Sequence, residues 1–237
     1  MSKGWNRSGS PRDRTRGAKV RVKTARGRKS SSTRWLQRQL NDPYVAEAKR
    51  LGYRSRAAFK LVDLDDRFGV LKKANRIVDL GCAPGGWSQV VIERLGEDVD
   101  LVGIDLLEVE PIAGMDFIEG DFLSEGMDDT LIDRLGGPAD LVMSDMANSA
   151  TGHRMTDQIR TLALCEAAFD FAERVLKPGG HFVSKILEGG AQGDLLKRLQ
   201  KSFKKVHHAK PPSSRAESKE WFLVALDYKG VPTKPDE

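Results

Sequence analysis

Three polar side chains stand where they could carry out proton-transfer chemistry. Asp145 follows the apolar segment Leu-Val-Met-Ser, Lys185 lies inside the apolar segment Phe-Val-Ser-Lys-Ile-Leu, and Glu220 directly precedes Trp-Phe-Leu-Val-Ala-Leu. A lysine within a buried strand is costly unless it has a partner or a lowered pKa. Asp145 is a suitable partner for Lys185, and a second cation such as Lys60 would disfavour the ammonium form. The alternative for Lys185, taken alone, is a lysine that reaches solvent from near a strand end.

This group predicts general-base chemistry on a weakly acidic hydroxyl. A ribose 2′-hydroxyl, for example, is a poor nucleophile until another group accepts its proton. A lysine with a pKa near neutrality can do so, and general acid–base catalysis of this kind contributes on the order of 10²–10⁴ in rate. In-line attack on an activated methyl group would then depend mainly on positioning.

The elements that would position these residues alternate between short strands and helices after Gly69. Strands flanked by helices predict a parallel sheet covered on both faces, hence an α/β fold. The last two strands have no helix between them, so we expect them to pair antiparallel at one edge of a seven-stranded sheet. We predict strands at 76–80, 100–105, 115–119, 139–145, 181–187, 204–209 and 221–227, and helices at 87–95, 127–135, 157–175 and 193–203.

The segment from Trp35 to Phe68 is predicted to be helical before the sheet begins. Asp42-Pro43 is a favourable helix start, Gly52 a favourable stop, and Ser55 a candidate N-cap for the next helix. That last helix would place Lys60 on its more polar face.

A glycine-rich turn follows the first strand, in Asp79-Leu-Gly-Cys-Ala-Pro-Gly-Gly-Trp. Glycines at 81, 85 and 86 allow the backbone to approach a ligand closely, and ligands of open parallel sheets bind beyond the carboxyl ends of the strands. Asp105 ends the second strand, where its carboxylate could accept hydrogen bonds from ribose hydroxyls. Asp121 follows the third strand and could contact an adenine amino group. Trp87 is either a wall of this pocket or part of the core.

Two ligand classes compete for this turn, apart from the possibility that it is only a strand-to-helix connection. A nicotinamide dinucleotide requires the spacing Gly-x-Gly-x-x-Gly, which seats a pyrophosphate on a helix N-terminus. The turn has Gly-x-x-x-Gly-Gly with Pro84 in the middle instead. S-adenosylmethionine has no pyrophosphate and fits this wider turn better.

Positive charge is concentrated at the N-terminus. Residues 1–38 contain 13 Lys and Arg and a single acid, Asp13, whereas the rest of the chain has 26 basic and 33 acidic residues. We expect residues 1–33 to be a disordered basic tail that contacts RNA, or an extension without a partner. Residues 34–230 would form one domain, and residues 231–237 a short tail.

Other features of the sequence favour a cytoplasmic protein without a metal. No apolar run approaches the roughly 18 residues of a membrane span, and the N-terminus has no secretory signal. Cys82 and Cys165 are far apart and have no metal-ligand spacing, so neither a disulfide nor a zinc site is expected. His153, His207 and His208 are assigned to the surface.

Several segments, in one order from about Ser30 to Leu226, resemble the FtsJ/RrmJ family of ribosomal RNA large-subunit uridine 2′-O-methyltransferases. The resemblance covers nearly all of the predicted domain. The segments are Arg54-Ser-Arg-Ala-Ala-Phe-Lys-Leu, Val78-Asp-Leu-Gly-Cys-Ala-Pro-Gly-Gly-Trp-Ser-Gln, Gly120-Asp-Phe, Met143-Ser-Asp-Met-Ala, Val183-Ser-Lys and Ser213-Ser-Arg-Ala-Glu-Ser-Lys-Glu.

This resemblance implies a Rossmann-like methyltransferase sheet that binds S-adenosylmethionine. The substrate would be a uridine in the A loop of 23S rRNA within the large ribosomal subunit, and we expect a monomer. The family's catalytic tetrad falls on Lys60, Asp145, Lys185 and Glu220, with Lys185 as proton acceptor. Its cofactor contacts fall on Gly85, Trp87, Asp105, Asp121 and Asp145.

Two features of the sequence depart from the family pattern. Family members commonly have Ala-Pro-Asn after the fourth-strand Asp-Met, whereas the loop that follows Asp145 lacks this proline and is one residue shorter. The basic tail is also longer than the common pattern.

The choice of RNA also remains open at this stage. Another RNA, such as a tRNA anticodon loop or an mRNA cap, is an alternative substrate, and a non-catalytic ribosome-assembly factor is an alternative from a different functional class. Candidate RNA contacts, each also explicable as surface or core, are Arg34, Trp35, Arg54, Arg56 and Arg215.

Overall fold

A computed structural model describes Arg21 and residues 30–149, 151–189 and 193–230. A seven-stranded sheet runs through it in the order β3-β2-β1-β4-β5-β7-β6. All pairings among the first five strands of that order are parallel, whereas β7 pairs antiparallel with both β5 and β6. The strands are β1 (Arg76–Leu80), β2 (Asp100–Asp105), β3 (Met115–Glu119), β4 (Ala139–Ser144), β5 (Leu176–Leu187), β6 (Phe203–Ala209) and β7 (Glu220–Tyr228).

Helices cover both faces of this sheet, as the sequence predicts. The helices are α1 (Ser30–Leu40), α2 (Pro43–Leu51), α3 (Ala58–Phe68), α4 (Gly86–Leu95), α5 (Met127–Leu135), α6 (Arg154–Val175) and α7 (Asp194–Ser202). Buried side chains of α3 and α4 pack on one face, and those of α5, α6 and α7 pack on the other. The predicted fold class, α/β with a mostly parallel seven-stranded sheet, is therefore confirmed.

The predicted antiparallel pair at one edge of the sheet is confirmed, and the structure adds which of the two strands lies outermost. The last two strands pair with each other as expected; β7 inserts between β5 and β6, so β6 is the edge strand. This insertion pairs Leu187 with Glu220 and thereby brings the start of β7 to the carboxyl end of β5.

The helices before the sheet begin and end where their capping residues dictate, with one exception. Asp42 caps α2 by accepting a hydrogen bond from Tyr44 N, and Gly52 ends this helix in the left-handed conformation. The exception is Ser55, which was expected to cap α3. Ser55 Oγ accepts a hydrogen bond from Ala57 N in a tight turn. The carbonyl oxygens of residues 55–57 accept hydrogen bonds from N–H groups three positions ahead, so the α-helix itself begins only at Ala58.

The termini lie largely outside the described residues. Of the predicted basic tail, the structure describes Arg21 and the start of α1, and α1 crosses the predicted boundary between residues 33 and 34. The short tail 231–237 lies outside the described residues. None of the helices in the described ranges has both the length and the apolar character needed to span a bilayer.

Candidate active site

The sheet brings the four predicted tetrad residues together. Asp145 directly follows β4, Lys185 lies in β5, and the two are neighbours because Ser144 and Ser184 are paired in the parallel register of these strands. Glu220 is the first residue of β7, and Lys60 reaches the same point from α3. Four segments that are distant in the sequence therefore converge at one end of the sheet.

Asp145 is the centre of this group. Its carboxylate lies 3.4 Å from Lys60 Nζ and 3.1 Å from Lys185 Nζ, and its backbone carbonyl accepts a hydrogen bond of 2.5 Å from Lys185 Nζ. Lys60 Nζ also lies 3.4 Å from the Glu220 carboxylate. Lys185 is only 6% exposed, so its partners compensate for the cost of burying a lysine.

The electrostatics of this group keep Asp145 and Lys60 charged. Burial raises the pKa of Asp145, but the ammonium groups of Lys185 and Lys60 outweigh that effect, and its pKa lies below the ordinary value. Burial lowers the pKa of Lys60, but the carboxylates of Asp145 and Glu220 reverse the direction, and its pKa lies above the ordinary value. Lys60 is therefore an ammonium ion at neutral pH and cannot accept a proton there.

A cavity of about 340 Å³ opens at the carboxyl ends of β1, β2, β3 and β4; we call it the strand-end cavity. Asp105, Asp121 and Asp145 line it, as do exposed leucines at positions 106, 107 and 123 on its rim. No lysine or arginine is among the described residues that line it. A lining with three carboxylates and no lysine or arginine of its own is unfavourable for a pyrophosphate and argues against the dinucleotide alternative.

Two of these carboxylates also shape the loops around the strand-end cavity. Asp105 accepts hydrogen bonds of 2.9 Å from Ala83 N with one oxygen and from Leu107 N with the other. Asp121 accepts a hydrogen bond from Leu123 N in the same way. Each acid therefore holds its own loop in place and still has lone pairs for a ligand.

The glycine turn contributes Gly81 rather than Gly85 to this cavity. Gly81 lines it, has a positive φ of 78°, and approaches the Met146 backbone so closely that an added Cβ would lie 2.8 Å from Met146 Cα. Gly85 also has a positive φ, but an added Cβ there would meet Ile112. Gly85 is not among the residues that line the cavity.

Trp87 belongs to the core. It is 3% exposed, packs against Phe222, and donates a hydrogen bond from Nε1 to Ala57 O. It is absent from the lining of the strand-end cavity, which favours the core interpretation that the sequence left open. The loop after Asp145, by contrast, lines the cavity with Met146, Ala147 and Asn148.

A second cavity, of about 370 Å³, lies on the other side of the tetrad; we call it the arginine cavity. Its lining includes Lys60 and Glu220 of the tetrad together with Arg38, Arg56 and Arg215. The tetrad thus separates an acidic cavity from a cavity rich in arginine. This arrangement suits a reaction between two ligands of different charge.

The remaining candidate contacts are distributed differently. Arg54 donates hydrogen bonds to the carbonyl oxygens of Pro84, Glu110 and Pro111, and is therefore part of the scaffold. The side chains of Arg34 and Trp35 are not among those that the structure describes. His153 and His208 are exposed, and His207 is half-buried against Phe68. Among the described residues no cluster of His, Cys, Asp and Glu is arranged to hold a metal ion.

The fold and this site define the class of protein. The seven-stranded sheet with one reversed strand, and a cavity at its strand ends, describe a Rossmann-like methyltransferase. The family model of the FtsJ-like methyltransferases matches residues 53–228, and the chain belongs to this family.

Curated relatives match over nearly their whole length. The chain is 55% identical over 227 residues to ribosomal RNA large subunit methyltransferase E of Cereibacter sphaeroides, covering 92% of this chain and 93% of the relative. It is 57% identical over 214 residues to the protein of the same name from Acidiphilium cryptum, covering 90% and 94%. A crystal structure of a Plasmodium falciparum protein assigned as a ribosomal RNA methyltransferase superposes with a TM-score of 0.64 at 31% identity, covering 76% of this chain and 100% of that one.

Proposed function

We propose that this protein transfers the methyl group of S-adenosylmethionine to the 2′-hydroxyl of a uridine in the A loop of 23S rRNA. One observation carries the proposal: the tetrad lies between two cavities, with Asp145 lining the acidic one and Lys60 and Glu220 lining the arginine-rich one. The names of the curated relatives, which are ribosomal RNA large subunit methyltransferases, support the choice of substrate.

The strand-end cavity has the chemistry that S-adenosylmethionine requires. The sulfonium and amino groups of this cofactor are cationic, and Asp105, Asp121 and Asp145 supply carboxylates without a competing cation in the lining. Asp105 would accept from the ribose hydroxyls and Asp121 would contact the adenine. Gly81 and the Met146 backbone would form the floor. Bound there, the cofactor supplies an electrophilic methyl group.

The tetrad residues have distinct tasks in this proposal. We assign Lys185 as the proton acceptor because Lys60 is held as an ammonium ion by two carboxylates, Asp145 and Glu220, whereas Lys185 is paired with Asp145 alone of the tetrad acids. Lys185 would release its own ammonium proton before it accepts that of the 2′-hydroxyl. Asp145 fixes the position of Lys185 through its carboxylate and its backbone carbonyl. The deprotonated 2′-hydroxyl oxygen would attack the methyl carbon in line with its bond to sulfur, and that bond would break to leave S-adenosylhomocysteine.

The partner in the cell would be 23S rRNA within the large ribosomal subunit, and the protein would act in the cytoplasm. We expect it to act as a monomer. Mapping 2′-O-methylation across total RNA from cells with and without this protein tests the substrate. Loss of methylation at one A-loop uridine is the expected result, whereas loss in a tRNA or at an mRNA cap would contradict the proposal.

The role of Lys185 is tested by two substitutions. Lys185→Ala should reduce methyl transfer at least about 10²-fold, since that is the lower end of what a general base contributes, and should leave S-adenosylmethionine affinity within a few-fold of wild type. Lys185→Arg retains a cation beside Asp145 but cannot accept a proton near neutral pH. It should therefore be as inactive as Lys185→Ala. Single-turnover methylation of unmodified large subunits measures both, and an active Lys185→Arg variant would show that the cation, not proton transfer, is required.

A further inference from the structure

Asp42 makes contacts that its role as a helix cap does not explain. Its side chain is only 6% exposed, although it lies at the surface-facing start of α2. One oxygen accepts the capping hydrogen bond from Tyr44 N at 3.0 Å. The other oxygen lies 2.9 Å from Arg56 NH1 and 3.0 Å from Arg215 Nε. One carboxylate thus joins α2, the turn before α3, and the loop before β7.

Both of these arginines line the arginine cavity beside Lys60 and Glu220. Arg56 is further fixed by a hydrogen bond that it donates to the backbone carbonyl of Ser213. Arginine side chains lose considerable rotamer freedom when they are immobilised, so a site that holds them in place beforehand spares a ligand that entropy cost. Arg38, which also lines the cavity, is exposed and has no such contact with Asp42.

The charges explain why a buried acid is needed behind this cavity. Burial lowers the pKa of Arg56, the carboxylate of Asp42 opposes this effect, and the neighbouring Arg215 adds to it. Two guanidinium groups held side by side repel each other, and a shared carboxylate offsets that repulsion. Asp42 uses one oxygen for both arginines, and among the described residues the buried Arg56 Nε and Arg215 NH2 have no hydrogen-bond partner.

We propose that Asp42 is a positioning residue that presets Arg56 and Arg215 to receive a phosphodiester group of the acceptor RNA next to the tetrad. Arginine is suited to this ligand because its planar guanidinium can donate two parallel hydrogen bonds to phosphate oxygens. Phosphate contacts of this kind fix the register of a nucleic acid without reading its bases. The proposal rests on the proposed function, since it takes RNA as the acceptor.

A simpler role for Asp42, as a negative charge alone, predicts the opposite change in RNA affinity. If Asp42 were only a negative charge near an RNA-binding surface, its removal would raise RNA affinity. If it positions the two arginines, its neutralisation lowers RNA affinity even though the surface becomes more positive. Asp42→Asn separates these cases, because asparagine is as good an N-cap as aspartate but carries no charge.

The experiment measures equilibrium binding of an unmodified A-loop RNA hairpin, together with steady-state methylation of unmodified large subunits. For Asp42→Asn we expect RNA affinity to fall, and the KM for the subunit to rise, at least about tenfold, with kcat and S-adenosylmethionine affinity within about twofold of wild type. Unchanged or tighter RNA binding would overturn the proposal. A loss confined to kcat would overturn it as well.

Two further variants test whether the weaker RNA binding of Asp42→Asn comes only from a loss of stability. Asp42→Ser also preserves a side-chain cap, and should weaken RNA binding as Asp42→Asn does while its melting temperature stays close to that of Asp42→Asn. Arg215→Gln should weaken RNA binding, and adding Asp42→Asn to it should cost less affinity than Asp42→Asn costs in the wild-type protein, because part of the carboxylate's effect acts through that arginine and the rest through Arg56. Full additivity of the two losses would refute positioning. Hairpin binding does not require catalysis, so a failure here is distinguishable from a failure of the proposed methyl transfer.

Discussion

Asp79 lies in β1 immediately before the glycine turn, and none of its side chain is exposed. One carboxylate oxygen accepts a hydrogen bond of 2.7 Å from Ser88 Oγ, and the other has no hydrogen-bond partner in the described part of the chain. Burial raises the pKa of Asp79 to about 7; the hydrogen bond from Ser88 opposes this shift, and the charges of Asp145 and Asp105 add to it. Asp79 therefore titrates in the folded protein close to neutral pH.

This environment predicts a pH dependence of stability that Asp79→Asn should remove. Between its unfolded pKa near 4 and its folded pKa near 7, Asp79 binds more proton in the folded state, so its contribution to the free energy of unfolding falls as pH rises through this window. Relative to wild type, Asp79→Asn should become more stable with rising pH, by on the order of a few kcal/mol between pH 5 and pH 8.

Urea unfolding of both proteins at pH 5, 6, 7 and 8 measures this difference. Asp157→Asn provides the control. Hydrogen bonds from Thr151 hold the pKa of Asp157 below its ordinary value, so it stays ionised from pH 5 to 8 and its difference from wild type should not grow over this range. Parallel curves for wild type and Asp79→Asn would show that Asp79 is already ionised at pH 5 in the folded protein.

Residues at strand ends could be anticipated from the sequence, and residues that act through other residues could not. Asp105, Asp121 and Asp145 follow predicted parallel strands, and the carboxyl ends of such strands share one edge of the sheet. Asp42 carried only the signal of a helix start, because its two arginine partners lie in other segments. Trp87 was ambiguous, because a residue in the first turn of α4 can face either the cavity or the core.

Among the elements, the loops around the strand-end cavity are joined by Arg54 as well as by Asp105. Arg54, in the connection between α2 and α3, donates to the carbonyl of Pro84 after β1 and to those of Glu110 and Pro111 after β2. Its guanidinium also lies against Gly85, where an added Cβ would be 3.2 Å from NH1. Both loops contribute residues to the cavity, including Ala83 and Leu107.

Arg54→Ala should therefore weaken cofactor binding rather than RNA binding. We expect the KM for S-adenosylmethionine to rise on the order of tenfold, since three hydrogen bonds that fix the two loops are lost, while the affinity for the A-loop hairpin and its salt dependence stay unchanged. Calorimetric titration with S-adenosylmethionine and hairpin binding at several salt concentrations measure the two effects. Arg198→Ala, an exposed arginine paired with Asp170 and Glu173, serves as the control. A flatter salt dependence for Arg54→Ala would assign this arginine to RNA instead.

The order and type of the elements could be predicted because hydrophobic runs and glycine stops mark them in the sequence. The position of β7 within the sheet could not be predicted in this way. Two adjacent strands without an intervening helix predict an antiparallel pair, but they do not tell which of the two adds to β5. The structure pairs β5 with β7, and only this choice brings Glu220 to Lys60. The tetrad was therefore complete in the sequence only through family resemblance.

For the whole molecule, charge is divided between the N-terminal segment and the domain. Residues 1–29 contain 11 Lys and Arg and one acid, although the whole chain has a net charge of only +5. The family match begins at residue 53, so this segment lies outside the part that defines the family. Within the domain, cations concentrate at the arginine cavity, whereas the strand-end cavity is acidic. The N-terminal segment would therefore supply cations for RNA binding from outside the family domain, and the arginine cavity would supply them beside the tetrad.

Deleting residues 1–29, which leaves α1 intact, should weaken binding to large subunits and flatten its salt dependence. Each phosphate contact that is lost removes about 0.7–0.9 from the slope of log K against log salt, because fewer counterions are released on binding. The kcat at saturating subunit concentration should stay within about twofold, since no tetrad residue is removed. Deletion of residues 231–237, which contain one Lys, one Asp and one Glu, should leave the slope unchanged. If deletion of residues 1–29 also leaves it unchanged, the domain alone supplies the phosphate contacts, and Arg38, Arg56 and Arg215 of the arginine cavity are the first cations whose substitution should flatten the slope.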